Sequence, residues 1–194
     1  MDEFFNSKEF KEKLARYEEA CQQGLSVFLD ADDMADIAEY YHLQHRDEEA
    51  VEVCDKAIAM FPHSLRPLVF RARIELILHK DSDKAESYLE QIDDTDDLDY
   101  YYLYAEILLV RGKYKDAETY LEDAYDHLED EDDRADFVLD VALLMCDYYR
   151  MDEAQQWLSL SDEPDQADYQ EAKGRIALYR GHYEESEKIF NELL

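Results

Sequence analysis

The chain has 194 residues, of which 46% are hydrophobic and 13% aromatic, so it can bury the core of one domain or of one continuous array. It holds 51 acidic residues against 20 lysines and arginines, and the net charge of −31 argues against nucleic acid and anionic membranes as partners. With four glycines and three prolines it is poor in the tight turns that sheets need, which predicts an all-α fold.

Residues 1–30 come first in chain order and are predicted to form a capping helix. Phe10, Leu14 and Tyr17 recur at helical spacing, and Gly24 is a suitable residue at the end of the helix. This segment does not follow the pattern of the later residues. We interpret it as an N-terminal helix that covers the first unit of a repeat.

The rest of the chain repeats a pair of small residues. Within each pair the second member follows the first after twelve or thirteen positions: Ala38 and Ala50, Ala72 and Ala85, Ala105 and Ala117, Ala142 and Ala154, Gly174 and Ser186. Large apolar residues flank both members at helical spacing, so each unit is predicted to be a helical hairpin. Small residues let the paired helices approach closely, and stacked hairpins share a continuous core.

These units resemble the tetratricopeptide repeat (TPR) family. The first unit matches the family pattern through Met34, Ile37, Ala38, Tyr41, Ala50, Cys54 and Pro62. The resemblance implies an all-α superhelix, or solenoid, of about five hairpins over residues 31–64, 65–97, 98–134, 135–166 and 167–194. Two departures are expected to matter: the second unit carries one extra residue in its turn, and the fourth is irregular around residues 161–165.

In TPR proteins the first helix of each hairpin lines a concave groove, and the resemblance places the groove on ten residues here. They are Asp32, Asp36, Glu39, Phe70, Arg73, Tyr102, Glu106, Asp136, Asp140 and Glu171. The Lys, Asn and Arg set with which some TPR modules capture a carboxylate terminus is absent. The expected function is therefore a non-catalytic scaffold or adaptor that binds a basic, partly apolar protein segment. The same acids could instead form only a solvating surface.

The acidic residues are unevenly distributed. Residues 93–170 contain 25 acidic and five basic residues, whereas residues 63–92 contain five of each. Several acidic runs lie in the turns that precede a predicted first helix, where an Asp side chain can cap free backbone N–H groups and offset the helix dipole. Capping therefore explains the position of many acids without a ligand.

The last predicted helix, at residues 184–194, carries an apolar stripe of Ile189, Phe190 and Leu193. No further hairpin or polar cap follows it, although repeat arrays need a polar end for solubility. Two interpretations remain open: the array continues into further repeats, or this end binds a partner or a second copy of the chain. The alternative function is thus an assembly module, with a possible homo-oligomer.

No motif points to catalysis, a cofactor or a metal. The chain lacks a Gly-rich phosphate loop, a nucleophile elbow and an HExxH sequence, and no acidic run follows the calcium-loop pattern. Cys21, Cys54 and Cys146 are widely spaced and form no CxxC pair, which suits a reducing compartment. With an acidic start and no long apolar run, the chain is expected to be a cytoplasmic protein.

Overall fold

The computed structural model describes residues 3–25 and 27–193. Regular structure in these ranges is entirely helical, which confirms the predicted all-α fold of helical hairpins. The chain divides into two compact units, Met1–Leu103 and Tyr104–Leu194, called here the first unit and the second unit.

The helices of each unit follow the predicted alternation. The first unit contains α1 (Glu3–Asn6), α2 (Lys8–Gln23), α3 (Ala31–Leu43), α4 (Asp47–Met60), α5 (Leu65–Ile74), a π-helical turn (Glu75–His79), α6 (Ser82–Leu89) and the start of α7 (Leu98–Val110). The second unit contains the end of α7, then α8 (Tyr114–His127), α9 (Glu131–Asp147), α10 (Met151–Leu158), α11 (Ala167–Tyr179) and α12 (Tyr183–Leu193). The predicted start of the fourth repeat, residue 135, lies inside α9, which begins one turn earlier with charged residues.

Aspartate caps begin several of these helices. The Asp30 carboxylate accepts a hydrogen bond from the Asp33 backbone N–H at 2.8 Å, and Asp81 accepts one from the Lys84 N–H at 2.9 Å. Asp130 caps α9 in the same way. Each bond satisfies a backbone donor that the helix leaves free, so part of the acidity has a structural role.

The hairpin turns share one backbone conformation. One residue between the two helices is left-handed in each of them: His45, Lys80, Gly112, Tyr149 and Gly181 have φ values of 59°, 56°, 71°, 57° and 79°. In four of the turns the next N–H donates to a carbonyl five residues back, as from Arg46 to Tyr41 at 2.8 Å, which is the Schellman arrangement. Three of the five left-handed positions therefore hold a residue with a side chain.

The second hairpin differs because it contains the extra residue. The sequence predicts that this residue lengthens the turn, but the structure places it in the π-helical turn that ends the first helix. The closing hydrogen bond there runs from the Asp81 N–H to the Glu75 carbonyl, six residues back, at 3.1 Å. A π-helical turn accommodates one added residue without changing the faces of the helix before it.

The small residues of the repeat lie in the packed interior. Ala38 and Ala50 have no solvent exposure, and the same holds for Ala72, Ala85, Ala105, Ala117, Ala142 and Ala154. In the first unit, Phe10 of α2 packs against Tyr40 of α3 with ring centroids 5.2 Å apart. The N-terminal helices therefore share the core of the first hairpin.

In the second unit an aromatic cluster joins three helices. Phe137 of α9 is fully buried and lies 5.9 Å, centroid to centroid, from Trp157 of α10. Tyr125 of α8 contacts the same indole edge-on at 5.7 Å. Such edge-to-face pairs are favourable beyond the area that they bury, so this cluster fixes the packing of α8, α9 and α10.

Candidate functional site

The first unit contains a cleft formed by α3, α5, the π-helical turn and the start of α7. Its volume is about 290 Å³. Its apolar lining consists of Ala35, Leu43, Val69, Phe70, Ile74 and Ile77, and its polar lining consists of Glu39, His42, Arg66, Arg73 and Asp99. We call this the α3–α5 cleft. It combines an apolar wall with charges of both signs, an arrangement typical of sites that take an amphipathic ligand.

Ion pairs hold the charged side chains around this cleft. Arg66 Nη2 lies 2.7 Å from Asp36 Oδ1, and Arg73 Nη2 lies 3.6 Å from Asp99 Oδ1. Burial of Arg66 disfavours its charged form, but the hydrogen bond to Asp36 and the nearby carboxylates outweigh that effect and raise its pKa. The rim of the cleft therefore carries charges of both signs, with the three carboxylates of Asp36, Glu39 and Asp99 and two arginines.

Six predicted groove residues belong to the first unit, and the structure brings three of them together. Glu39, Phe70 and Arg73 line the α3–α5 cleft. Asp36 lies beside them and pairs with Arg66.

The other two groove candidates of the first unit lie elsewhere. Asp32 is exposed in the first turn of α3, outside the lining of the cleft. Tyr102, the predicted aromatic contact, is only 8% exposed. It belongs to the packed interior because α7 is apolar on most of its circumference, and such helices are buried.

The second unit presents acids at its surface. Asp136 and Asp140 are both exposed on α9, and their spacing of four residues puts them on one face of the helix. Glu171 is exposed on α11 and lies 3.6 Å from Arg175, which also pairs with Asp147 at 2.5 Å.

Glu106 does not present its charge to solvent, because only 7% of the residue is exposed. It lies on the same apolar helix as Tyr102, and Ile107, Leu108 and Leu109 next to it are buried as well. The expectation that Glu106 contributes an accessible acid to a groove is therefore corrected by the burial of α7.

Leu43 and Ile77 of the cleft are not among the predicted groove residues, although a periodic signal points to them. Leu43 follows Glu39 by four residues, and Ile77 follows Arg73 by four. Helical side chains four apart share a face, so extending the predicted stripe by one turn reaches both. Leu43 and Ile77 are each 50% exposed, which makes them the accessible part of the apolar wall.

The predicted apolar stripe at the C-terminal helix is largely covered. Ile189 is 5% exposed and Phe190 is half-buried, and both pack against α11 at Gly174. Leu193 is 40% exposed, so it is the member of the stripe that remains open. Other large side chains of this hairpin are exposed: Leu178, Tyr179 and Tyr183.

Neither a metal-binding cluster nor a membrane-spanning helix is present among residues 3–25 and 27–193. In these ranges no group of three or more His, Cys, Asp or Glu side chains is arranged to hold a metal ion. None of the described helices is both long enough and apolar enough to cross a membrane.

Comparison with known proteins gives one type of match. No protein-family model matches the chain, and no curated protein matches it. Among solved structures, the chain is similar to the crystal structure of YrrB, described as a TPR protein with an unusual peptide-binding site. The two are 16% identical, the alignment covers 84% of each chain, and the TM-score is 0.44. That protein is described as a member of the TPR family, which is the family that the repeated residues resemble.

Proposed function

We propose that this chain is a non-catalytic protein-interaction scaffold that binds a basic, partly apolar protein segment. The α3–α5 cleft carries the proposal. Its volume of about 290 Å³ is at the small end of ligand sites, a size that suits one large side chain of a peptide better than a separate small molecule.

The apolar wall supplies the attraction for that side chain. Leu43 and Ile77 are half-exposed, and the partly buried ring of Phe70 lines the same cleft. Burying one large aliphatic or aromatic side chain against such a wall is worth about 1.5 to 3 kcal/mol. The partner segment must therefore carry at least one large apolar residue.

The preference for a basic partner rests on the acids that remain exposed. Around the cleft, Asp36 and Asp99 are already paired with arginines. The carboxylates of Asp136 and Asp140 are exposed on α9 of the second unit, and exposed acids of this kind attract cationic residues. Such charges raise the rate of encounter and favour one class of partner more than they add affinity.

A peptide-display selection on the purified protein tests the proposal. We expect enriched peptides to combine a large apolar residue with lysine or arginine. Replacing both α9 acids, Asp136→Lys with Asp140→Lys, should weaken binding of a selected peptide about tenfold in fluorescence anisotropy at low salt.

A matched pair of substitutions on α8 serves as the control. Glu122 and Asp126 are exposed and also four residues apart, so Glu122→Lys with Asp126→Lys changes the net charge by the same amount. This control should leave the affinity within about twofold. Equal weakening by both pairs would show that the acids act only through total charge, and no enrichment at all would contradict the scaffold function.

An assembly role is the second candidate, favoured by the exposed apolar residues of the last hairpin. Leu178, Tyr179, Tyr183 and Leu193 are between 40% and 68% exposed, and a second copy of the chain could cover them. Sedimentation velocity over a wide concentration range should then show a dimer that Leu178→Ser with Tyr183→Ser removes. A strict monomer at the highest concentration would rule this function out.

A further inference from the structure

We infer that the π-helical turn Glu75–His79 determines which side chain the α3–α5 cleft accepts, with Ile77 as the contact that selects a large apolar residue. This inference rests on the proposed function and adds the element that sets its specificity. It is carried by the inserted residue, by the exposure of Ile77 and by the ion cluster that fixes the turn.

The inserted residue is the first observation. Ala72 and Ala85 are thirteen residues apart, whereas the other small-residue pairs are twelve apart. One added residue in an α-helix rotates every later side chain by about 100°. Here the π-helical turn absorbs the residue, so Leu76 stays 1% exposed in the core and Ala85 stays fully buried. The cost of the insertion is confined to this one turn.

The second observation is what the turn presents at the surface. Ile77 and Leu78 are consecutive large aliphatic residues with exposures of 50% and 41%. Ile77 lines the α3–α5 cleft, and Leu78 is outside its lining. The two residues have similar size, similar exposure and the same backbone setting, but they differ in whether a ligand in the cleft can touch them.

The third observation is that the turn is firmly held. The buried Glu75 carboxylate lies 2.6 Å from His79 Nδ1 at the far end of the turn. It also lies 2.5 Å from Arg71 Nη1 and 2.5 Å from Lys84 Nζ on α6. These contacts tie the start of the turn to its end and to the next helix. A wall fixed before binding loses little entropy when a ligand packs on it.

The chemistry of the ligand follows from the wall and from the charge around it. Ile77, Leu43 and Phe70 offer only apolar atoms to an incoming side chain. Around the cleft the three carboxylates of Asp36, Glu39 and Asp99 outnumber the two arginines, so positively charged residues on either side of the inserted side chain are favoured and negatively charged ones are repelled. The occupant is therefore a leucine-like residue within a lysine- or arginine-containing segment.

Two synthetic peptides probe this directly in amide NMR titrations, which measure weak binding. One carries a leucine between pairs of lysines, and the other carries alanine in place of the leucine. Wild-type protein should bind the leucine peptide about fivefold more tightly than the alanine peptide. Ile77→Ser should remove this difference, and Leu78→Ser should keep it. Both sites are exposed, and unchanged amide spectra of the free variants would verify that the fold is retained.

The possible outcomes distinguish a failure of this inference from a failure of the proposed scaffold function. If Ile77→Ser discriminates between the peptides as well as wild type does, the π-helical turn does not set specificity, while the scaffold function stands. If Ile77→Ser and Leu78→Ser lose discrimination equally, the effect is not a cleft contact and the inference fails. If wild type binds the two peptides equally or binds neither, both the inference and the proposed function are overturned.

Discussion

The two units contain almost the same numbers of charged residues but place some of them in different environments. The first has 26 acidic and 11 basic residues, and the second has 25 and nine. In the first unit, Glu75 is buried in an ion cluster and Asp36 is paired at the cleft. In the second, Asp136 and Asp140 remain exposed on one helix face. Similar numbers of acids thus accompany a buried carboxylate in the first unit and exposed carboxylates on α9 in the second.

The units also differ in how regular their hairpins are. In the second unit the paired small residues keep a spacing of twelve, and Gly174 lets α12 approach α11 closely. In the first unit the thirteen-residue pair produces the π-helical turn that lines the cleft. The regular hairpins provide close helix packing, whereas the irregular π-helical turn provides part of the surface of the α3–α5 cleft.

Among single charged groups, the Glu75 carboxylate in the buried ion cluster of the first unit should contribute the most to stability. Burial alone would raise the pKa of Glu75, but hydrogen bonds from Lys84, His79 and Arg71 lower it from 4.5 to about 2. Because this pKa is lowered on folding, the contribution is complete above about pH 5 and is lost as the pH falls toward 2. Glu75→Gln should therefore cost about 3 kcal/mol at neutral pH.

Urea unfolding followed by circular dichroism measures this difference at several pH values. The gap between wild type and Glu75→Gln should shrink steadily from pH 5 to pH 2. Glu90→Gln, at an exposed position after α6, is the control and should change stability by less than about 0.5 kcal/mol. A gap that stays constant with pH would show that the charge of Glu75 is not what stabilises the turn.

Close helix packing in the second unit should make Gly174→Ala destabilising. A Cβ atom at this position would lie 2.9 Å from the Phe190 ring and 3.2 Å from Ile189 Cγ2. Overpacking of this kind exceeds the gain in helix propensity, so we expect a net loss of about 1 kcal/mol. Unfolding followed by Trp157 fluorescence reports on this unit. Phe190→Leu should reduce the penalty in the double variant, and a stabilised Gly174→Ala would contradict close packing.

The smallest expected changes in stability come from substituting left-handed turn residues, one in each unit. Tyr149 and His45 hold φ values of 57° and 59°, which cost a residue with a side chain about 1 kcal/mol relative to glycine. Tyr149→Gly and His45→Gly should each stabilise the protein by about 0.5 to 1 kcal/mol in thermal unfolding. Gly181→Ala is the reverse control, since no atom lies within 4 Å of the added Cβ and only backbone strain can destabilise it.

Local sequence patterns predicted the hairpins because their causes are local. The spacing of Ala38 and Ala50, and of the equivalent pairs, follows from the contact of two adjacent helices, and these residues are fully buried as expected. The turns between the helices follow from the same spacing. The fold therefore required no knowledge of distant contacts.

The candidate site was harder to predict because it depends on contacts between distant residues. Asp36 and Arg66 are 30 positions apart, and only the folded chain brings them to 2.7 Å. The burial of Glu106 was foreseeable, since α7 has few polar positions around it. The covering of Ile189 depends on how closely α12 packs on Gly174, which no periodicity reveals.

Amide NMR shifts on adding a display-selected peptide show directly whether the α3–α5 cleft binds an apolar residue of a basic segment. We predict that the largest shifts fall on residues 35–43 of α3 and on residues 66–77 of α5 and the π-helical turn. Shifts confined to α11 and α12, with none around the cleft, would contradict the claim and move the binding site to the last hairpin.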